Sequence, residues 1–198
     1  DGTWGRGFYR PKWTCTHYSL LDLAAFGVHP DTPGIREEIV RIARDERGAD
    51  GGFNCRRNRS GARHSSVHST ICVLEGAWAY ARRGYRYRAD ELASAAETCR
   101  AFLLRHRLFR SDHTGEVIHP DLLRLVYPPR WKYHVLRCLD GFASAGVPWD
   151  ERMADALAAL VAKRRRDGRS KGGAATSRKS ARARPRVPAT PCPCRTRP

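Results

Sequence analysis

The sequence predicts an all-α domain built from three helical hairpins, and three observations carry that prediction. Asp-Gly turns or their relics recur at Asp1-Gly2-Thr3-Trp4, Asp50-Gly51-Gly52-Phe53, Asp112-His113-Thr114-Gly115 and Asp167-Gly168-Arg169-Ser170, with intervals of 49, 62 and 55 residues between the aspartates. Repetition at such a period marks stacked units that cannot bury their apolar faces alone. Each of the first three turns is followed by a polar loop and an apolar segment ending in an acid: "KWTCTHYSLLD" to Asp22, "HSSVHSTICVLE" to Glu75 and "RWKYHVLRCLD" to Asp140. Period-2 alternation of useful length is absent, so no strand is predicted.

The elements follow in order. Each apolar segment runs on through small residues to a glycine, Gly27, Gly84 or Gly146, the stop signal of a helix C-terminus. A second amphipathic segment follows at about 32–46, 89–106 and 150–164, and "HPDTPGIREE" and "VPWDERMAD" place Asp and Pro ahead of the first and last of these, as N-terminal signals should be. In the last segment Met153, Leu157, Leu160 and Val161 recur at helical spacing opposite Asp155 and Lys163, which predicts one buried stripe. In the turns, glycine supplies the positive φ, and an aromatic such as Trp4 or Phe53 is placed to pin the loop onto the helices.

The chain divides into a repeat domain, 1–169, and a tail, 170–198. With 198 residues and 41% hydrophobic composition the first is long enough for a real core. The second, "SKGGAATSRKSARARPRVPATPCPCRTRP", holds a single Val and no other large apolar residue, so burial cannot offset its conformational entropy and disorder is predicted. The break falls where the repeat would place an aromatic, and either a real basic tail or a shifted reading frame would produce it. The tail carries eight of the seventeen net positive charges, so the body stands at only +9, and nucleic acid is expected to bind weakly and through the tail alone. Seven cysteines without a Cys-x-x-Cys pair argue against a disulfide framework or a zinc ribbon and fit reduced thiols in a cytoplasm. No stretch approaches ~18 uninterrupted apolar residues, so no membrane span is expected. The chain begins at Asp1, inside a turn, as a fragment or a trimmed start would.

Asp-Gly-x-Trp/Phe turns closing hairpins of this length resemble the α/α-toroid repeats of terpenoid cyclases of the squalene-hopene type and of protein prenyltransferase β subunits. "DGGFNCRRNRSGARHSSVHSTICVLEG" and "WKYHVLRCLDGFASAGV" look most like uncharacterised bacterial prenyltransferase/squalene-oxidase-repeat proteins. The resemblance covers residues 1–169. It implies an α/α toroid in which inner and outer helices alternate around an apolar cavity that holds an isoprenoid-like small molecule. Three hairpins make a partial ring, about half, whose inner helices are those ending in Asp22, Glu75 and Asp140. An open half ring would expose apolar surface to a protein partner. The reaction motifs of the resembled enzymes are missing: there is no Asp-x-Asp-Asp cluster, no Asp-x-Cys, and no glutamine anywhere. Catalysis is therefore unsupported, no cofactor is expected, and a non-catalytic helical-repeat scaffold for protein–protein interaction is the alternative.

The candidate cavity-lining residues are His17, Asp22, His64, His68, Glu75, His134 and Asp140. His64, His68 and Glu75 stand at i, i+4 and i+11, one stripe of a helix, where two imidazoles and a carboxylate could serve acid/base chemistry or part of a metal site. Equally, His64 fits the preceding loop and Glu75 fits a pairing with an arginine of a neighbouring hairpin; no metal is expected. His17 and His134 occupy corresponding turns of the other inner helices. Asp22, Glu75 and Asp140, equivalent by repeat, read better as links between repeats than as catalysts, and Trp13, Trp78, Trp131, Tyr18, Tyr80 and Tyr133 better as packing than as carbocation-stabilising faces.

Overall fold

The computed structural model describes residues 22–23, 25–29, 32, 35–40, 42, 44, 47–54, 63–126, 129, 132–170 and 172. Helices occupy Ile35–Val40 (α1), Val67–Arg82 (α2), Ala89–Arg105 (α3), Val135–Ser144 (α4) and Ala154–Val161 (α5). Residues 22–23 and 25–26 are helical as well, and 3₁₀ turns cover Pro120–Leu123 and Glu151–Met153. No strand occurs among the described residues, only isolated antiparallel bridges, so the all-α class holds. The predicted disorder of the tail, the turn at Asp1, and His17, Trp13, Trp131 and Tyr18 lie outside the described residues.

Helix, glycine, helix is the order found at all three predicted stops. Gly27, Gly84 and Gly146 have φ of 72°, 71° and 68°, the left-handed geometry that turns a chain off a helix end. Past Gly27 and Gly146 the Val28 and Val147 amides donate to the carbonyls of Leu23 and Phe142 at 3.0 and 2.9 Å, the six-to-one bond that satisfies an otherwise orphaned carbonyl. After Gly84 the chain turns back: a Cβ on Gly52 would meet both Thr70 Oγ1 and Phe102 Cγ, which places the start of α2 beside the end of α3. The two are therefore antiparallel.

The turns repeat in three dimensions. Isolated bridges close them at Arg47 with Phe53, Arg110 with Val117 and Arg164 with Ser170. In the first, Gly48 N–H donates to the Gly52 carbonyl at 2.8 Å and Gly51 N–H to that of Gly48 at 3.0 Å; in the last, Arg165 and Gly168 make the matching bonds to Arg169 and Arg165 at 2.7 and 2.9 Å. Phe53 is fully buried, and its N–H donates to Thr70 Oγ1 at 3.0 Å, so the aromatic does pin the loop to α2. Ser170 holds the equivalent bridge position in the last turn and is exposed.

One contiguous core joins the hairpins. It takes Ile35, Ile39 and Ile42 from the first, Ile71, Leu74, Leu92, Phe102 and Leu103 from the second, and Val135, Cys138 and Phe142 from the third. At roughly 25 cal/mol per Å² of apolar area, this shared burial is what fastens units that individually lack a core. One open reading is decided and one expectation needs correction. His64 is not on α2, because Asp50 takes the Ser65 amide at 2.7 Å and Ser66 N–H donates to the Phe53 carbonyl at 2.7 Å, which keeps 65–66 extended and starts the helix at Val67. The stripe on α5 is also displaced: Met153 and Ala156 are buried and Leu160 packs against the core, while Leu157 and Val161 are exposed and Asp155 pairs with Arg107 and Arg110.

Candidate functional site

The polar residues that the fold brings together lie where the N-terminal half of α2 faces the start of α4. His68, Cys72 and Glu75 occupy i, i+4 and i+7 on α2, one stripe, opposite Tyr133, His134 and Arg137. Arg137 is the centre of the group. Its Nε donates to Glu75 Oε1 at 2.9 Å and its Nη2 to Glu75 Oε2, while Nη1 donates to the Lys132 carbonyl at 3.1 Å and Nη2 also reaches Cys72 Sγ at 3.5 Å. Burial works against the guanidinium charge, but the carboxylate outweighs it and raises the Arg137 pKa. Glu75 is thus spent on a two-pronged clamp between hairpins.

Above the clamp lies a cavity of about 180 Å³, lined by His68, His119, Asp121, Leu122, Arg124, Val126, Lys132, Tyr133 and His134. Three elements build it: the start of α2, the start of α4, and the 3₁₀ turn at Pro120–Leu123. Every imidazole in it is held in the same way. Tyr133 N–H donates to His68 Nδ1 at 2.9 Å, Arg137 N–H to His134 Nδ1 at 3.1 Å and Asp121 N–H to His119 Nδ1 at 3.1 Å. A ring nitrogen that accepts from an amide carries no hydrogen, so in each neutral ring the hydrogen is on Nε2. Nε2–H is a donor and not a metal ligand. Consistent with this, no group of three or more His, Cys, Asp or Glu among the described residues could hold a metal ion.

The electrostatics keep two of these rings neutral. Burial, aided by the charges of Lys132 and Arg137, lowers His68 to about 4, and burial with Arg137 lowers His134 as well. The His134 Nε2 is buried and makes no hydrogen bond of normal geometry, although the Val126 backbone is close enough to favour its protonated form. Asp121 is held below the usual carboxylate range by Arg124, whose Nη1 lies 3.0 Å from Oδ1. With these rings neutral, Arg124 and Lys132 stand against Asp121 in the lining.

Of the candidate residues, His68, Glu75 and His134 come together here, the two histidines in the cavity and Glu75 beneath it. Asp22 is at the surface, with partial burial raising its carboxyl, and its charge acts on the Cys72 thiol. Asp140 and His64 are exposed and stand apart from the cavity. Tyr80 and Tyr133 are packing residues whose hydroxyls donate to the Tyr87 and Leu108 carbonyls at 2.9 and 2.6 Å, and Trp78 meets Phe142 edge to face at 5.7 Å. Sequence reasoning missed His119, Asp121, Lys132 and Arg137. One signal was available: His-Pro-Asp occurs twice, at 29–31 and 119–121, and the second copy opens the 3₁₀ turn that walls the cavity.

No protein-family model, curated protein or solved structure matches this chain. A second hollow of about 420 Å³ is more open; Arg105, Arg107 and Arg110 line it with Asp155, which already pairs with the last two. No described helix is long and apolar enough to cross a membrane.

Proposed function

We propose that this chain is a non-catalytic helical-repeat scaffold, an arc of the α/α-toroid type, that works by binding a protein partner. The observation that carries this reading is the Glu75–Arg137 clamp: the carboxylate best placed for acid/base work is consumed in joining two hairpins, as a link between repeats would be. A partner surface is supported on the third hairpin, where Trp149, Leu157 and Val161 stay exposed. In a stack of repeats such a face is covered by the next unit.

The isoprenoid-like ligand implied by the resemblance is less well supported. A cavity of about 180 Å³ lies below the ~300 Å³ at which small-molecule sites begin. Light scattering of the purified chain, alone and as the W149S/L157S/V161S variant, tests the scaffold reading. Concentration-dependent association that the variant abolishes supports it. A strict monomer that instead quenches its tryptophan fluorescence on saturable binding of farnesol sinks it in favour of the isoprenoid reading.

A further inference from the structure

We propose that the exposed seam at the end of α5, formed by Leu157, Val161 and Arg164, is the docking site of a second copy of this chain, which seats its α1 there head to tail. The inference rests on the scaffold reading and names the partner of that same face.

The register of the repeat carries it. An arginine opens the bridge of every turn, Arg47, Arg110 and Arg164, and gives a common origin for counting. Eight residues before it stand Ile39, Phe102 and Ala156, all buried, so the second helices of the three hairpins run in register. Seven residues before it the last two differ: Leu103 is fully buried, whereas Leu157 is 43% exposed. Their arginines differ in the same sense. Arg110 donates from Nη1 to the Gly115 carbonyl of its own turn and from Nε to Asp155 of the next hairpin, both at 3.0 Å. Arg164 repeats only the first of these, from Nε to the Gly168 carbonyl at 3.4 Å, and no described carboxylate pairs with it. The first hairpin is joined to the second likewise, by Arg44 with Glu91 at 3.0 Å. The third thus leaves open an arginine of the kind that each earlier hairpin ties to its successor.

Charge names the occupant. Lys163, Arg165, Arg166 and Arg169, around Arg164, are exposed and matched by no described carboxylate, and the one acid among residues 163–170, Asp167, accepts the Arg169 N–H at 2.9 Å. A neighbour must therefore bring a carboxylate on a helix, as α5 brings Asp155 to Arg110. This chain holds such a helix at the matching place. α1 reads "IREEIV", and its Glu38 stands nine residues before Arg47, as Asp155 stands nine before Arg164. Seating α1 of a second copy beyond α5 repeats between chains the step that joins α3 to α5 within one, a heterologous contact in which Arg164 meets Glu38. An exposed ion pair adds little by itself, so Leu157 and Val161 supply the apolar area and the charges set the register.

The test is sedimentation equilibrium of the full chain over a concentration series, for the wild type, Arg164→Glu, Glu38→Arg, and an equimolar mixture of the two variants. The wild type should self-associate. Each variant alone should do so about tenfold more weakly, because like charges then meet at the seam, and the mixture should regain the wild-type affinity, because both of its mixed contacts bring opposite charges together. A strict monomer overturns the proposal. Association that R164E leaves unchanged but W149S/L157S/V161S abolishes also overturns it, while the scaffold reading stands. Two variants that keep the wild-type far-ultraviolet circular dichroism but fail to recover on mixing overturn it as well. Where E38R does not fold, Glu38→Gln takes its place, and unchanged self-association in that variant is the overturning result.

Discussion

Glu75 and Arg137 lie 62 positions apart in the chain and meet through two nitrogens and two oxygens. Their side chains are 20% and 7% exposed, so removing one partner strands a largely desolvated charge. Glu75→Gln or Arg137→Met is expected to lower the unfolding free energy by about 3 kcal/mol, and the double variant E75L/R137M to recover most of that loss; urea denaturation of all three reads the pattern. The histidines predict the pH response. Because His68 titrates near 4 in the folded chain and near 6.5 when unfolded, the unfolded state takes up its proton first as the pH falls. Stability is therefore full above 6.5 and declines between 6.5 and about 4, with His134 acting in the same direction. The melting temperature should fall between pH 7 and pH 5, and H68N/H134N, which keeps an acceptor for the Tyr133 and Arg137 amides, should flatten that fall. At this scale the sequence was half legible. A pairing of Glu75 with a neighbouring arginine and a loop position for His64 could both be read as alternatives, but the choice for His64 could not be made, since it depends on Asp50 reaching Ser65 across 15 positions.

At the scale of elements, the glycine stops were the most legible feature, because positive φ is a local demand that few other residues meet. A Cβ at Gly84 or Gly146 would touch nothing within 4 Å, so substitution there isolates the backbone term. Gly84→Ala and Gly146→Ala are each expected to cost about 1 kcal/mol with no change in core packing, measured by denaturation and by unchanged aromatic circular dichroism. The end of α3 was read to within a residue, 106 against Arg105, but the geometry just beyond it was not legible. Arg107 and Leu108 both adopt positive φ, 43° and 67°, where no glycine announces a turn, and the strain is held by the burial of Leu108 and Phe109 and by the Leu108 N–H bond to the Leu103 carbonyl at 2.9 Å. The α5 stripe was misread for a related reason. Periodicity reports that a face exists, while the packing of Met153, Ala156 and Leu160 on the core of the other hairpins decides which way it points.

For the whole molecule, the repeat period foretold the order of elements and the recurrence of the turns, because both follow from each unit needing its neighbour. The cavity was not foretold, as it draws on three elements whose polar residues share no spacing. Repeat architecture also makes a prediction about cooperativity. Phe53 joins the first turn to α2 and shares the buried core with Phe102 of α3, so Phe53→Ala should cost about 3–5 kcal/mol and should lower hydrogen-exchange protection in α2 and α3 more than in α5. Equal loss of protection in α5 would mean that the chain unfolds as one indivisible unit. The three described thiols extend that logic. Cys72, Cys99 and Cys138 sit one each on α2, α3 and α4, all buried, with burial pushing the first and last up to about 12 and the middle one higher still. Alkylation needs the thiolate, so each stays silent until its own helix opens. The chain therefore carries a set of internal clocks: the order in which a maleimide marks these positions records the order in which the hairpins come apart.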